Sequence, residues 1–143
     1  MGRRGASGDL FGTPRPHPAG PGAMDFRSAV AQLLGEMFAR SGLDRFEIAA
    51  RASRVAGKDV TKFMLDAYTS EARELHNAPA WLMPALEVAC NSHAYTQWLA
   101  EVRGARALIG DEALHHDLSR LERLREEADV AIRTLKSQMR GLR

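Results

Sequence analysis

The grouping whose spacing comes nearest to metal chemistry is Cys90-x-x-His93, with His76 upstream. Structural zinc takes four ligands of the Cys and His type, and the chain has a single cysteine. Cys90 therefore reads as a small buried core residue and the two histidines as surface or capping groups. His115 and His116 are adjacent, so on a helix they diverge by about 100° and chelate poorly. Phosphate chemistry fares no better. No Gly-x-Gly-x-x-Gly occurs, and Gly57-Lys58-Asp59 lacks the upstream glycine and the Ser or Thr of a phosphate loop. No nucleophile, base and orienting group stand at interpretable spacing. The sequence is read as a non-enzyme without metal or cofactor.

A second set of residues suggests recognition rather than reaction. Lys58, Thr61, Lys62, Asp66, Thr69, Ser70, Arg73 and Asn77 fall within twenty positions. Cations, hydroxyls and amides in such a run can bond base edges and phosphates, provided a helix presents them together.

The elements around them are helical. Phe26, Val30, Leu33, Leu34, Met37 and Phe38 recur on one helical face up to Ser41-Gly42. Asp44 is an expected N-cap, Glu47 completes a capping box, and Leu43 with Ile48 forms a hydrophobic staple. The second helix is expected to turn Phe46, Ile48, Ala49, Ala52 and Val55 inward. Asp59 is expected to cap a third helix reaching about Arg73, with Val60, Phe63, Met64, Ala67 and Tyr68 buried. After Asn77 and Pro79, a fourth helix starts near Pro84 and ends at Asn91. Ser92 caps a fifth, with Tyr95, Trp98, Leu99 and Val102 inward, and Gly104 stops it. No strand pattern occurs. The expected class is all-α: a five-helix head containing a helix-turn-helix, then a long coiled-coil helix.

Helices two and three carry the helix-turn-helix expectation, with Ile48 and Ala49 where two helices approach closely and helix three as the groove-entering element. The segment Ser53 to Asp59 predicts a turn longer than the usual 3–4 residues. Beyond Asp111 lies a separate pattern. Leu114, Leu118, Leu121, Arg125, Ala128, Ile132, Leu135 and Met139 are spaced 4-3-4-3-4-3-4, the repeat of a coiled-coil seam. Leu124 and Ala131 widen the stripe, leaving strand number and helix orientation open.

Composition and charge bound the rest. At 143 residues the chain suits one domain with an appendage. No apolar run reaches the roughly 18–20 residues of a membrane span, no secretory signal is visible, and one cysteine suits a cytoplasmic location. Residues 1–23 hold six of twelve glycines and four of six prolines and are expected to be disordered. The change at Met24 also admits translation starting there. The net charge of +2 lies wholly in residues 1–23; residues 24–110 and 111–143 are each neutral. Within 40–62, however, six Lys or Arg face three acids, a local +3. The expected divisions are 1–23 leader, 24–110 head and 111–143 oligomerisation helix.

The stretch Asp59-Val-Thr-Lys-Phe-Met-Leu-Asp-Ala-Tyr-Thr-Ser-Glu-Ala-Arg-Glu-Leu-His-Asn-Ala-Pro resembles small regulatory proteins of Mu-like transposable phages and prophages. More distantly, it is similar to CII-type phage regulators with a helix-turn-helix. The likeness rests on Val60-Thr61-Lys62, Leu65-Asp66-Ala67-Tyr68-Thr69, Asn77 to Pro84, the Cys90-Asn91-Ser92 turn and the leucine-rich tail. It covers roughly residues 44–138, and residues 1–23 have no counterpart in it. The resemblance implies sequence-specific binding of double-stranded DNA by an oligomer. On this expectation Thr61, Lys62, Asp66 and Thr69 read bases, while Lys58, Ser70, Arg73 and Asn77 meet phosphates. The rival expectation is a coiled-coil adaptor whose head grips a phage or host protein. A third possibility folds the 111–140 helix back on its own head.

Overall fold

The computed structural model describes residues 13–142. They form six α-helices: α1 (Arg27–Arg40), α2 (Arg45–Ala56), α3 (Lys62–Tyr68), α4 (Met83–Cys90), α5 (Ala94–Val102) and α6 (Asp111–Gly141), with a 3₁₀ turn at Ala80–Leu82. Among the described residues there is no strand, only an isolated antiparallel bridge between Pro16 and Arg103. No described helix is long and apolar enough to cross a membrane. The chain divides into two compact units, at Arg106–Ala107.

In the first unit the core is built where α1, α2 and α4 meet. Leu34, Ile48, Leu65, Leu82 and Leu86 are fully buried, and Met37, Phe38, Ala49, Ala52, Met83 and Ala89 close around them. Alanines at 49, 52 and 89 let backbones approach closely, and α2 makes its most extensive packing against α4. Cys90 is buried in this core, and burial pushes its thiol up, against a hydrogen bond from Ser41 and the charge of Arg51, which pull it down.

The helix ends explain the boundaries. Asp44 caps α2 by accepting from the Glu47 N–H at 2.9 Å. The Glu47 carboxylate does not close the expected box; it bonds Arg51 one turn on, at 2.7 Å. Gly57 ends α2 in the left-handed region, φ +66. Asn91 does the same for α4. The expected Ser92 cap of α5 shifts by one: His93 holds the N-cap position without a side-chain bond, and Ser92 Oγ accepts from the Ala94 N–H at 3.1 Å. A carboxylate from α4 also reaches this end: Glu87, only 6% exposed, takes the Thr96 N–H and hydroxyl.

Several expectations are corrected here. The third helix is capped by Thr61, not Asp59, and spans seven residues, ending at Tyr68 well before Arg73. The turn before it is Gly57–Thr61, because Ser53–Ala56 still belong to α2. Phe46, Val55, Phe63 and Leu99, expected inside, are exposed. Phe46 and Phe63 each precede a buried anchor (Ile48, Leu65) by two residues, which sets them about 160° around the helix from it. Of the expected disordered leader, residues 1–12 lie outside the described residues. Its remainder runs without helix, and residues 16–17 lie against the end of α5, with His17 N–H donating to Val102 O at 2.9 Å. His17, Phe26, Trp98 and Tyr95 make a chain of ring contacts with centroids 5.1–5.8 Å apart.

The second unit is α6 with its short approach. It is 31 residues long and none of them is buried. The six large apolar residues of the 4-3 repeat, Leu114 to Met139, are 49–68% exposed.

Candidate nucleic-acid interface

The site grows from one hydroxyl. Ser53, in the last turn of α2, accepts the Val60 N–H at 2.8 Å. Its own proton faces Ala49 O at 2.8 Å and Val60 O at 3.0 Å. The turn Gly57–Thr61 is thereby tied to α2 at its far end, and the Val60 side chain is buried in the core. Thr61, the next residue, caps α3 through its Oγ1, which accepts from the Met64 N–H at 3.2 Å. Turn and helix are thus fixed to the scaffold by side chains rather than by packing alone, as a recognition surface requires.

On the outward side, aromatic rings alternate with lysines. Lys62 Nζ lies 5.9 Å from the Phe46 ring centroid and 5.8 Å from that of Phe63. Lys58 Nζ lies 5.7 Å from Trp81. These separations are in the range of cation–π attraction. Phe46 is 68% and Phe63 76% exposed.

Behind this side sits a charge network. Arg45 Nη1 donates to Asp66 Oδ1 at 2.7 Å and to Thr69 Oγ1 at 2.8 Å, while its guanidinium lies over the Phe38 ring. Lys62 Nζ meets the other Asp66 oxygen at 2.6 Å. The Lys62 hydrogen bond holds the Asp66 carboxyl below its ordinary value, helped by Arg45 and opposed by partial desolvation. Within the chain Asp66 thus meets both Lys62 and Arg45, and Thr69 meets Arg45.

The remaining expected residues scatter. Lys58 and Thr61 precede α3 in the turn, and Ser70 and Arg73 follow it. The Ser70–Asn77 segment is drawn toward α1, where Arg27 Nη1 donates to Glu71 O at 3.0 Å and Gln32 Nε2 to Glu71 Oε1 at 2.9 Å. Asn77 borders a cleft of about 400 Å³ with Arg27, Tyr68, Met83 and Tyr95. Burial raises the Tyr68 hydroxyl. The structure thus sets Lys62 beside Phe46 and Phe63 and Lys58 beside Trp81; the sequence pattern places Phe46 and Phe63 inside and gives Trp81 no role. For Phe46 and Phe63 the signal is their position two residues before a buried anchor, legible only once Ile48 and Leu65 are known to be the anchors. The Cys90, His93 and His76 group is not a cluster: Cys90 is buried and both histidines are exposed. Among the described residues no three His, Cys, Asp or Glu side chains are grouped as metal ligands.

No protein-family model matches the chain, nor does any curated protein or solved structure.

Proposed function

We propose that the chain is a sequence-specific, double-stranded DNA-binding regulator of the phage or prophage type, acting as an oligomer with α3 in the major groove. The observation that carries this reading is the α2–turn–α3 unit: a hydroxyl-anchored turn beginning with a left-handed glycine, then a short helix with Thr61, Lys62 and Phe63 at its outward start. Helix-turn-helix proteins read base edges with the first residues of the second helix. Phe63 supplies an apolar contact suited to the thymine methyl, and Lys62 and Thr61 supply hydrogen bonds. Lys58 and the exposed Arg54 reach phosphates. Asp66 keeps the Lys62 side chain oriented and is not itself a base contact. The resemblance of residues 44–138 to Mu-like phage regulators supports the same assignment.

The head is neutral overall, so one head has little general attraction for phosphate. Joining heads through α6 raises affinity by effective concentration and requires paired half-sites. The test is selection of full-length protein on a random duplex pool, followed by titration against salt. A repeated motif should be enriched, with binding that falls steeply as salt rises. Absence of enrichment, or unchanged affinity in a Lys58→Ala, Lys62→Ala chain, overturns the assignment. The exposed rings of Phe46, Phe63 and Trp81 also favour a second reading, an adaptor head that grips a protein. That reading expects salt-tolerant co-purification of a protein that survives nuclease treatment.

A further inference from the structure

The α6 surface carries information about its partner's direction. A 31-residue helix with no buried residue draws little stability from its own hydrogen bonds in water and depends on covering its apolar stripe. The seam intervals 4-3-4-3-4-3-4 read the same from either end, so a second copy can meet every seam residue whether it lies parallel or antiparallel. Side-chain size and charge separate the two arrangements.

In the parallel pair each seam residue faces itself. Arg125 then faces Arg125 across the axis, and Ala128 faces Ala128 one layer on, leaving the layer underfilled. Asp117 and the second copy's Glu122 occupy the flanking positions that meet in parallel pairs, a like-charge contact repeated on both edges. In the antiparallel pair Leu114 faces Met139, Leu118 faces Leu135, Leu121 faces Ile132, and Arg125 faces Ala128. Every layer now combines apolar with apolar or large with small. The stem of Arg125 lies over the Ala128 methyl, and its guanidinium sits on the edge that carries Glu122 and Asp129 from both chains. On that edge Glu122 faces the second copy's Asp129 twice, but here the two guanidiniums stand among the four carboxylates and offset their repulsion. No seam cation does this for Asp117 and Glu122 in the parallel pair. His115 beside Lys136 flanks each end. On the opposite edge Leu124 lies against Ala131, which explains why the apolar stripe is wider than a strict seam, and Asp117 meets Gln138.

We propose that α6 pairs antiparallel with α6 of a second copy, in the register that sets Arg125 opposite Ala128. This rests on the oligomeric part of the function proposed above and adds its orientation and strand number. Single cysteines in a Cys90→Ala full-length background test it. Mixing a tagged Leu121→Cys chain with an untagged Ile132→Cys chain should convert most of both to a mixed disulfide dimer under mild oxidation. Leu121→Cys alone should stay uncrosslinked. Placing a photo-crosslinking phenylalanine at position 121, with Cys90 intact, should label the peptide around Ile132, and sedimentation should give twice the chain mass. Self-crosslinking of Leu121→Cys, labelling around residue 121, or a trimer overturns the antiparallel pair and leaves self-association standing. A full-length monomer overturns both.

Discussion

The Glu87 carboxylate on α4 accepts two hydrogen bonds from Thr96 on α5, one from the N–H at 2.9 Å and one from the hydroxyl at 2.7 Å. It serves as a cap donated by a neighbouring helix: a negative group at the positive end of α5, taken out of water because two donors meet it. Glu87→Ala removes the acceptor of both donors, which the exposed Thr96 turns in part to water, and should cost about 1–3 kcal/mol in urea unfolding. Glu87→Gln keeps one acceptor and should cost about half that. Equal losses in the two variants would mean that packing, not the hydrogen bonds, fixes the side chain.

Asp66 supplies a pH signature. Its folded carboxyl lies below the ordinary value of 3.8 because Lys62 and Arg45 favour the charged form. The stabilisation is therefore complete above that value and is lost as pH falls through the depressed folded one. The difference in unfolding midpoint between the natural chain and Asp66→Asn should be constant near neutral pH and should close only in the acid range below 3.8. A difference that survives full protonation would remove the ion pairs as its cause.

Lys58 and Phe63 should fail differently in duplex binding. On the proposed DNA-binding reading, Lys58→Ala removes one phosphate contact, weakens all sequences alike and lowers the slope of log affinity against log salt by about one. Phe63→Ala leaves the slope unchanged and costs about 1–3 kcal/mol only on sites with thymine at the contacted position. Titrations of both variants on the selected site and on a scrambled duplex separate the two effects.

Gly104 tests whether the leader belongs to the head. Its φ is +72, and an added Cβ would meet Pro16 N at 2.5 Å and Pro16 Cδ at 2.7 Å; at Gly57, φ +66, the same atom meets open space. Gly57→Ala should cost about 1–2 kcal/mol from backbone strain alone. Gly104→Ala should exceed it by about 1–3 kcal/mol of overpacking, and that excess should vanish in a chain lacking residues 1–23. An excess that persists in the truncated chain would place its origin elsewhere than at Pro16.

What the sequence discloses and what it hides follow range of interaction. Asp44, Gly57 and Pro84 act within four residues, and the helix ends they mark are found where expected. The start of α3 is different. Asp59 and Thr61 are both competent caps, and the choice falls to Thr61 because Val60 is drawn into the core by Ser53, seven residues back. The same limit governs the rings. Period alone sets Phe46 and Phe63 inside, but Ile48 and Leu65, two residues on, are the buried anchors and turn both rings to the opposite side of their helices. Lys62 was legible as a cation. Its pairing with Asp66 follows from their four-residue spacing, whereas the role of Arg45, on another helix, does not.

The two tryptophans fall on different parts of the first unit. Trp81 stands half exposed beside Lys58, at the margin of the α2–α3 turn, while Trp98 sits in the ring chain that joins His17 and Phe26 to α5. The chain thus carries two built-in optical probes. With Trp98→Phe, the remaining emission reports what approaches the turn; with Trp81→Phe, it reports whether the leader stays seated. Ligand capture and leader release can be followed in one cuvette without attaching a dye.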